Sequence, residues 1–566
     1  MLRLKTFPLV ALTVLGLGTA LALNNTARCA EDATPNLVQV RTIDEHIRQV
    51  WTDYGISPSK PASDYEYCRR VYLDILGRVP TVNELKAYVS DKSADKKSKL
   101  VDTLLYDEAY TEEYARNWTT IWTNILIGRS GGTGDDDMTS REGMQKYLRD
   151  TFARNKPYDR MAYELISATG TNTPGSSNFN GAVNFLAAKL EEDASQATAQ
   201  TSQIFLGLQV QCTQCHNHPF NEWKQEKYWE MNSFFRQTIA LRRFTQGTND
   251  VRMVDLQNQD YAGESGDPSE ADVFYDLRNQ EKRVAYPVFV DGTEISKSGY
   301  LEDCNRREEL AKLVSKSDYL GKTISNRMWS HFLGYGFTKP IDDLGPHNPA
   351  THPQLLDYLG EEFAKASYDL KQLMKWIALS EAYSLSAQVT SQNKIDDPLL
   401  GETPKFSHFY LRQMTAEQLY ESLITATRAD KTRGSYEEQE KSKSEWLQQF
   451  VTAFGTDEGG EQTTFNGSIP QALMMMNGDL IKKATDGSQG SFLHTIANSR
   501  LSMAQQVDYL AMASVGRPSN SNEKALANSF LRLRMQDGGN ASQAQLQALQ
   551  DIWWVYLNTN EFILIH

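Results

Sequence analysis

Apolar residues recur along most of this chain at helical spacing. In the segment Arg141–Phe152 the side chains of Met144, Tyr147, Leu148 and Phe152 fall on one stripe, as a helix with one buried face requires, and Pro157 marks its end. A second helical run extends from Asn184 to Gln203. Further on, Thr351 with Gln354 and Thr415 with Gln418 have the spacing of capping boxes ahead of apolar runs. The pattern changes only between Arg242 and Asp303, where short β-like pieces such as Arg283–Val290 precede the turn residues Asp291 and Gly292.

The expected fold is therefore mainly α: two helical domains joined by a small β-containing insert. The boundaries read as 36–241 for the N-terminal helical domain, 242–303 for the insert and 304–566 for the C-terminal helical domain. A chain of 566 residues is too long for one domain of ordinary size.

Ahead of these, Arg3 and Lys5 precede an apolar run from Phe7 to Leu23, the layout of a secretory signal peptide spanning 1–22. An uncleaved anchor is the alternative, although the run is short for a bilayer. Cys29 follows Arg28, a poor context for lipid attachment. No later stretch is apolar enough to cross a membrane, so the mature chain is expected to be periplasmic or secreted. The net charge of −14 provides no basic face for phosphates and argues against nucleic-acid binding.

The residues that carry chemistry sit in LGLQVQCTQCHNHPF, from Leu206 to Phe220. Cys212, Cys215 and His216 form C-x-x-C-H, by which a c-type haem is attached through two thioethers with the histidine as axial ligand. That attachment takes place outside the cytoplasmic membrane, so leader and motif point the same way. Met231, His331, His347 and His352 are all candidates for the other axial position, and the sequence does not choose among them. A different metal centre is a second reading, in which Cys212, Cys215, His216 and His218 hold zinc or non-haem iron. A third makes the cysteines a disulfide or a purely structural feature. The remaining cysteines among the five allow a bridge between Cys68 and Cys304.

Elsewhere the signals are weaker. Asp342, Asp343, His331, His347 and His352 offer carboxylates and imidazoles within one region, the raw material of a hydrolase acting on extracellular polymers. Asp135, Asp136 and Asp137 read as a solvated loop before a calcium site, Lys431 to Lys443 as a solvated loop or helix face, and Met474, Met475 and Met476 as core packing.

The run from Phe205 to Phe235 resembles planctomycete secreted proteins that carry domain of unknown function fifteen forty-nine, also called a planctomycete cytochrome-C-type domain. The block RRVYLDILGRVPT from Arg69 to Thr81 and the block NKPYD from Asn155 to Asp159 are similar to two further parts of that domain. Its usual partner, domain of unknown function fifteen fifty-three, is matched by SNRMWSHFLGYG from Ser325 to Gly336, by Pro340–Asp343, by Thr351–Leu356 and by WWVYLNTNEF from Trp553 to Phe562. The resemblance implies membership of that secreted family, whose cytochrome label rests largely on this motif; motif and leader together lead to the expectation of an exported protein with haem c on Cys212, Cys215 and His216, acting in electron transfer with an unknown redox partner or as the redox part of an oxidoreductase.

Overall fold

A computed structural model describes residues 37–134, 136–427, 435–454, 478–536 and 540–566. The leader at 1–22, Cys29, Asp135 and Met474–Met476 lie outside the described residues. Helices dominate and the strands are few and short. Among the described residues three small antiparallel sheets carry them. Thr238–Phe244 and Val251–Asn258 form a hairpin extended by Gly170–Thr171, Val273–Asp276 pairs with Lys282–Ala285, and Arg412–Gln413 pairs with Leu564–Ile565.

Local sequence explains much of the detail. The Arg141–Ala153 helix buries Met144, Leu148 and Phe152 as its stripe demands, but it stops at Asn155, which takes a positive φ of 49°, two residues before Pro157. The run after Asn184 is interrupted: Glu192, Asp193 and Ala194 have left-handed backbone inside Glu191–Leu206. Thr415 and Gln418 do form a reciprocal cap, with Gln418 N donating to Thr415 Oγ1 at 3.1 Å and Thr415 N to Gln418 Oε1 at 3.0 Å. Thr351 does not, because Pro353 already supplies the first helical residue and the Thr351 hydroxyl is bonded to His352 Nδ1 at 2.8 Å. The β-like run from Arg283 breaks after Ala285 at Tyr286–Pro287, where proline has no N–H for a ladder, and only an isolated bridge from Val288 to Glu294 follows. Lys443, read as part of a solvated stretch, is buried on the Tyr436–Phe454 helix and donates to Glu421 Oε1 at 2.8 Å.

The two helical halves share one core. A continuous set of buried apolar side chains runs from Val40 through Trp118, Phe205, Trp329, Phe363 and Trp553 to Ile565. Polar ties cross the same boundary: Trp51 Nε1 donates to Lys405 O at 2.8 Å and Tyr67 OH to Ala378 O at 2.9 Å. The Asp64–Leu76 helix contributes two arginines to the far half. Arg69 donates to Ser514 O and Phe562 O, both at 2.7 Å, while Arg70 reaches Leu385 O at 3.0 Å and lies over the Phe409 ring at 3.5 Å. Both are fully desolvated, and burial pushes each guanidinium down to about 10. The insert is fixed at its C-terminal end by Arg306 and Arg307, the first residues of the Arg306–Lys316 helix and also buried. Cys68 and Cys304 are both buried free thiols, so the bridge between them is not formed.

Among the described residues no helix is long and apolar enough to cross a membrane.

Candidate functional site

The Glu191–Leu206 helix ends at Gly207, which has a φ of 64°. A side chain there would place Cβ 2.8 Å from Thr323 Oγ1 and 2.9 Å from Leu344 Cγ, so glycine is required both by the turn and by the close approach of the second half. Gly207 O accepts from Leu344 N at 2.6 Å. Leu208 and Val210 then plunge into the core, and the chain makes a 3-10 turn over Gln211–Gln214. Thr213 pins that turn inward, its hydroxyl donating to Val210 O at 2.6 Å. Cys212 and Cys215 are left exposed, each a free thiol.

The rest of the loop is held from three sides. Gln214 O accepts from both Trp229 Nε1 and Gln225 Nε2 at 3.1 Å. Trp229 stacks on Tyr275 of the insert with ring centroids 5.9 Å apart, and Gln225 Nε2 also donates to Asp276 O at 3.0 Å. The two histidines differ in a way that matters chemically. His216 Nδ1 lies 2.7 Å from Asn217 O; donation to that carbonyl fixes the proton on Nδ1 and leaves the Nε2 lone pair for a metal, the usual arrangement of a ligating histidine. His218 Nδ1 instead accepts from Phe220 N at 3.2 Å and Asn221 N at 3.1 Å, which puts its proton on Nε2 and gives it the work of closing the His218–Trp223 turn.

From the second half comes the loop Pro340–His347. Asp342 is a docking residue, accepting from Gln203 Nε2 at 2.8 Å and Gln209 Nε2 at 2.9 Å. Asp343 Oδ1 lies 2.9 Å from His347 Nε2, and the His347 ring is 6.2 Å from that of His218. Among the described residues no three or more His, Cys, Asp or Glu side chains gather closely enough to hold a metal ion; the arrangement is open rather than a cage.

The other candidate residues are dispersed. Met231 is buried in the core. His331 is half-buried beside Trp118, its Nε2 3.1 Å from Asp74 O, and His352 is enclosed by Phe337 and Phe406. His331 and His352 lie apart from Asp342 and Asp343; of the carboxylates and imidazoles named for a hydrolase, Asp343 and His347 come together. Of the aromatic residues flanking the motif, Phe205, Tyr228, Phe234 and Phe235 are core, whereas Phe220 is 84% exposed. Asp137, in the acidic loop, caps its own turn by accepting from Thr139 N at 2.9 Å. A cavity of about 1260 Å³ lined by Glu112, Arg129, Arg149, Glu417, Tyr436 and Glu440 contains none of the motif residues.

Burial pushes the His352 imidazole from its ordinary 6.5 down to about 4, with Asp396 opposing and His46 and Lys405 adding to the shift. The unfolded chain then binds more protons than the fold between pH 6.5 and 4, so stability falls as pH drops through that window. Between pH 7 and pH 5 this one residue is expected to remove about 2 kcal/mol. Urea midpoints of wild type and His352→Phe at the two pH values check it: the variant should lose less stability on acidification, and an equal loss in both proteins would refute the assignment.

Compared with known protein families, residues 42–240 match PSCyt2, described as protein of unknown function (DUF1549), and residues 306–531 match PSD1, described as protein of unknown function (DUF1553). The chain belongs to the proteins that pair these two domains. No curated protein and no solved structure matches it. The family match gives the geometry a meaning: Cys212, Cys215 and His216 belong to the PSCyt2 domain, Asp342, Asp343 and His347 to the PSD1 domain, and the unmatched segment between them supplies Tyr275 and Asp276. The motif therefore lies where the two domains and the insert meet. The C-x-x-C-H signal was readable in the sequence. The docking roles of Gln203, Gln209 and Asp342 were not, since nothing local distinguishes a glutamine that clamps a carboxylate more than a hundred residues away.

Proposed function

We propose that this protein carries one haem joined to Cys212 and Cys215, with His216 as an axial ligand, and serves outside the cytoplasm as an electron-carrying protein or the redox part of an oxidoreductase. The observation that carries the reading is the presentation of the motif. Two free, exposed thiols sit within and at the end of one 3-10 turn, beside a histidine whose Nδ1 is engaged by a backbone carbonyl. Each thiol adds across one vinyl group: sulfur bonds to carbon, the thiol hydrogen passes to the neighbouring carbon, and no oxidant is consumed. Such attachment needs reachable thiols and one imidazole, whereas a structural zinc needs four donors closed around it. When bound, the haem would supply one-electron chemistry. The protein's part is to hold the loop rigid through Thr213, Gln225 and Trp229 and to fix the orientation of His216.

The test is a pyridine haemochrome assay on the full chain exported from a host with cytochrome maturation machinery. One haem per chain that survives denaturation is expected, with no covalent haem in the Cys212→Ala, Cys215→Ala double variant. A folded, exported wild type that is colourless would overturn the proposal.

A further inference from the structure

His347 has the makings of a ligand that nothing in the folded chain uses. With its Nε2 proton directed to Asp343 Oδ1 at 2.9 Å, the other nitrogen presents a lone pair, the tautomer that a carboxylate partner imposes on ligating histidines. That nitrogen, Nδ1, is buried and has no hydrogen-bond partner among the described residues. Buried polar atoms without partners are few in native folds, and an ion or cofactor is among the standard explanations. Gly345 packs directly against this edge of the ring. A Cβ on Gly345 would fall 2.8 Å from both Nδ1 and Cε1 of the ring, so any other residue would occupy the approach to that nitrogen.

The position of the ring ties it to the motif. It lies 6.2 Å from the ring of His218, two residues beyond His216. Its loop is locked to the segment leading into Cys212 by Gln203 and Gln209 on Asp342 and by the Leu344 N to Gly207 O bond. His331 Nε2 is engaged by Asp74 O, His352 and Met231 are buried in the core, and His218 Nδ1 is taken up by two backbone donors.

We propose that His347 Nδ1 is the ligand contributed by the PSD1 domain to the group carried by the PSCyt2 motif, so that the two domains share one centre. The inference rests on the haem reading for the identity of the group, with Asp343 as a positioning residue. It accounts for the pairing of the two domains in one chain: neither alone would complete the coordination.

The experiment uses the haem-loaded full chain. Wild type is expected to show a six-coordinate low-spin spectrum. His347→Ala should turn high-spin and be restored by added imidazole, Gly345→Ala should do the same with the imidazole side chain intact, and haem content by haemochrome should stay at one per chain. A wild type that is already high-spin, or a low-spin spectrum retained in His347→Ala, overturns the assignment. If wild type takes up no haem, the haem reading fails separately, and the protein is titrated with Co²⁺ alone. Weaker Co²⁺ binding in His347→Ala, with Asp343→Asn weaker by about tenfold or more, then sustains the shared centre with a different group. Equal affinities in wild type and His347→Ala overturn it.

Discussion

Replacing Asp74 by alanine is expected to cost about 3–5 kcal/mol of stability. The Asp74 side chain is fully buried on the Asp64–Leu76 helix, with Oδ1 accepting from Arg412 at 2.5 Å and Oδ2 from Tyr383 OH at 2.6 Å. It also lies close enough to Arg70 to favour that residue's charged form, against the effect of Arg412. One carboxylate thus answers two guanidiniums in a region walled by Phe409 and Tyr383. Its loss would leave like charges facing each other with little solvent to screen them, a larger penalty than loss of an equal number of surface pairs. Because Asp74 belongs to the first half while Tyr383 and Arg412 belong to the second, the substitution should also loosen the joint between them. Urea denaturation of Asp74→Ala should show the loss in full, and Asp74→Ala with Arg412→Met should recover part of it. A single variant within about 1 kcal/mol of wild type would mean that the network does not join the halves.

Which features were legible in the sequence follows from the range over which each is determined. The helical stripe at Met144, Leu148 and Phe152 and the reciprocal cap at Thr415 and Gln418 depend on residues a few positions apart, and both are present. The cap expected at Thr351 fails for a reason equally local, the proline at 353. The motif at Cys212, Cys215 and His216 is local too, and its exposure on one turn agrees with its spacing. What escaped is long-range. Nothing local marks Arg69, Arg70 and Asp74 as buried, yet all are, because their partners come from residues 383–566. Lys443 looked solvated for the same reason, its partner Glu421 lying on a different helix. Among four equivalent candidates for a second axial ligand, only the approach of His347 to His218 separates one from the rest.

Arg306→Met is the second substitution expected to be severe, and its effect should reach the motif. Arg306 is fully buried, and burial lowers the pKa of its guanidinium. It donates to Ala271 O at 2.7 Å, Lys297 O at 2.6 Å, and Ser298 O and Ser233 O at 3.3 Å. Three of those carbonyls belong to the insert and one to the segment just after the motif, so this side chain organises backbone that forms no regular ladder of its own. A methionine of similar length fills the volume but donates nothing, and the stranded carbonyls put the cost at about 3–5 kcal/mol. Loosening should propagate by a definite route. The insert supplies Tyr275 beneath Trp229 and the Asp276 carbonyl for Gln225, and those two residues hold Gln214 O between the cysteines. Hydrogen exchange is therefore expected to quicken in Arg306→Met both across the insert and at Gln211–Gln225, while the Arg141–Ala153 helix keeps its protection. If exchange rises only within the insert, the motif loop is held by its own helix and the second half, and the insert plays no part in positioning the thiols.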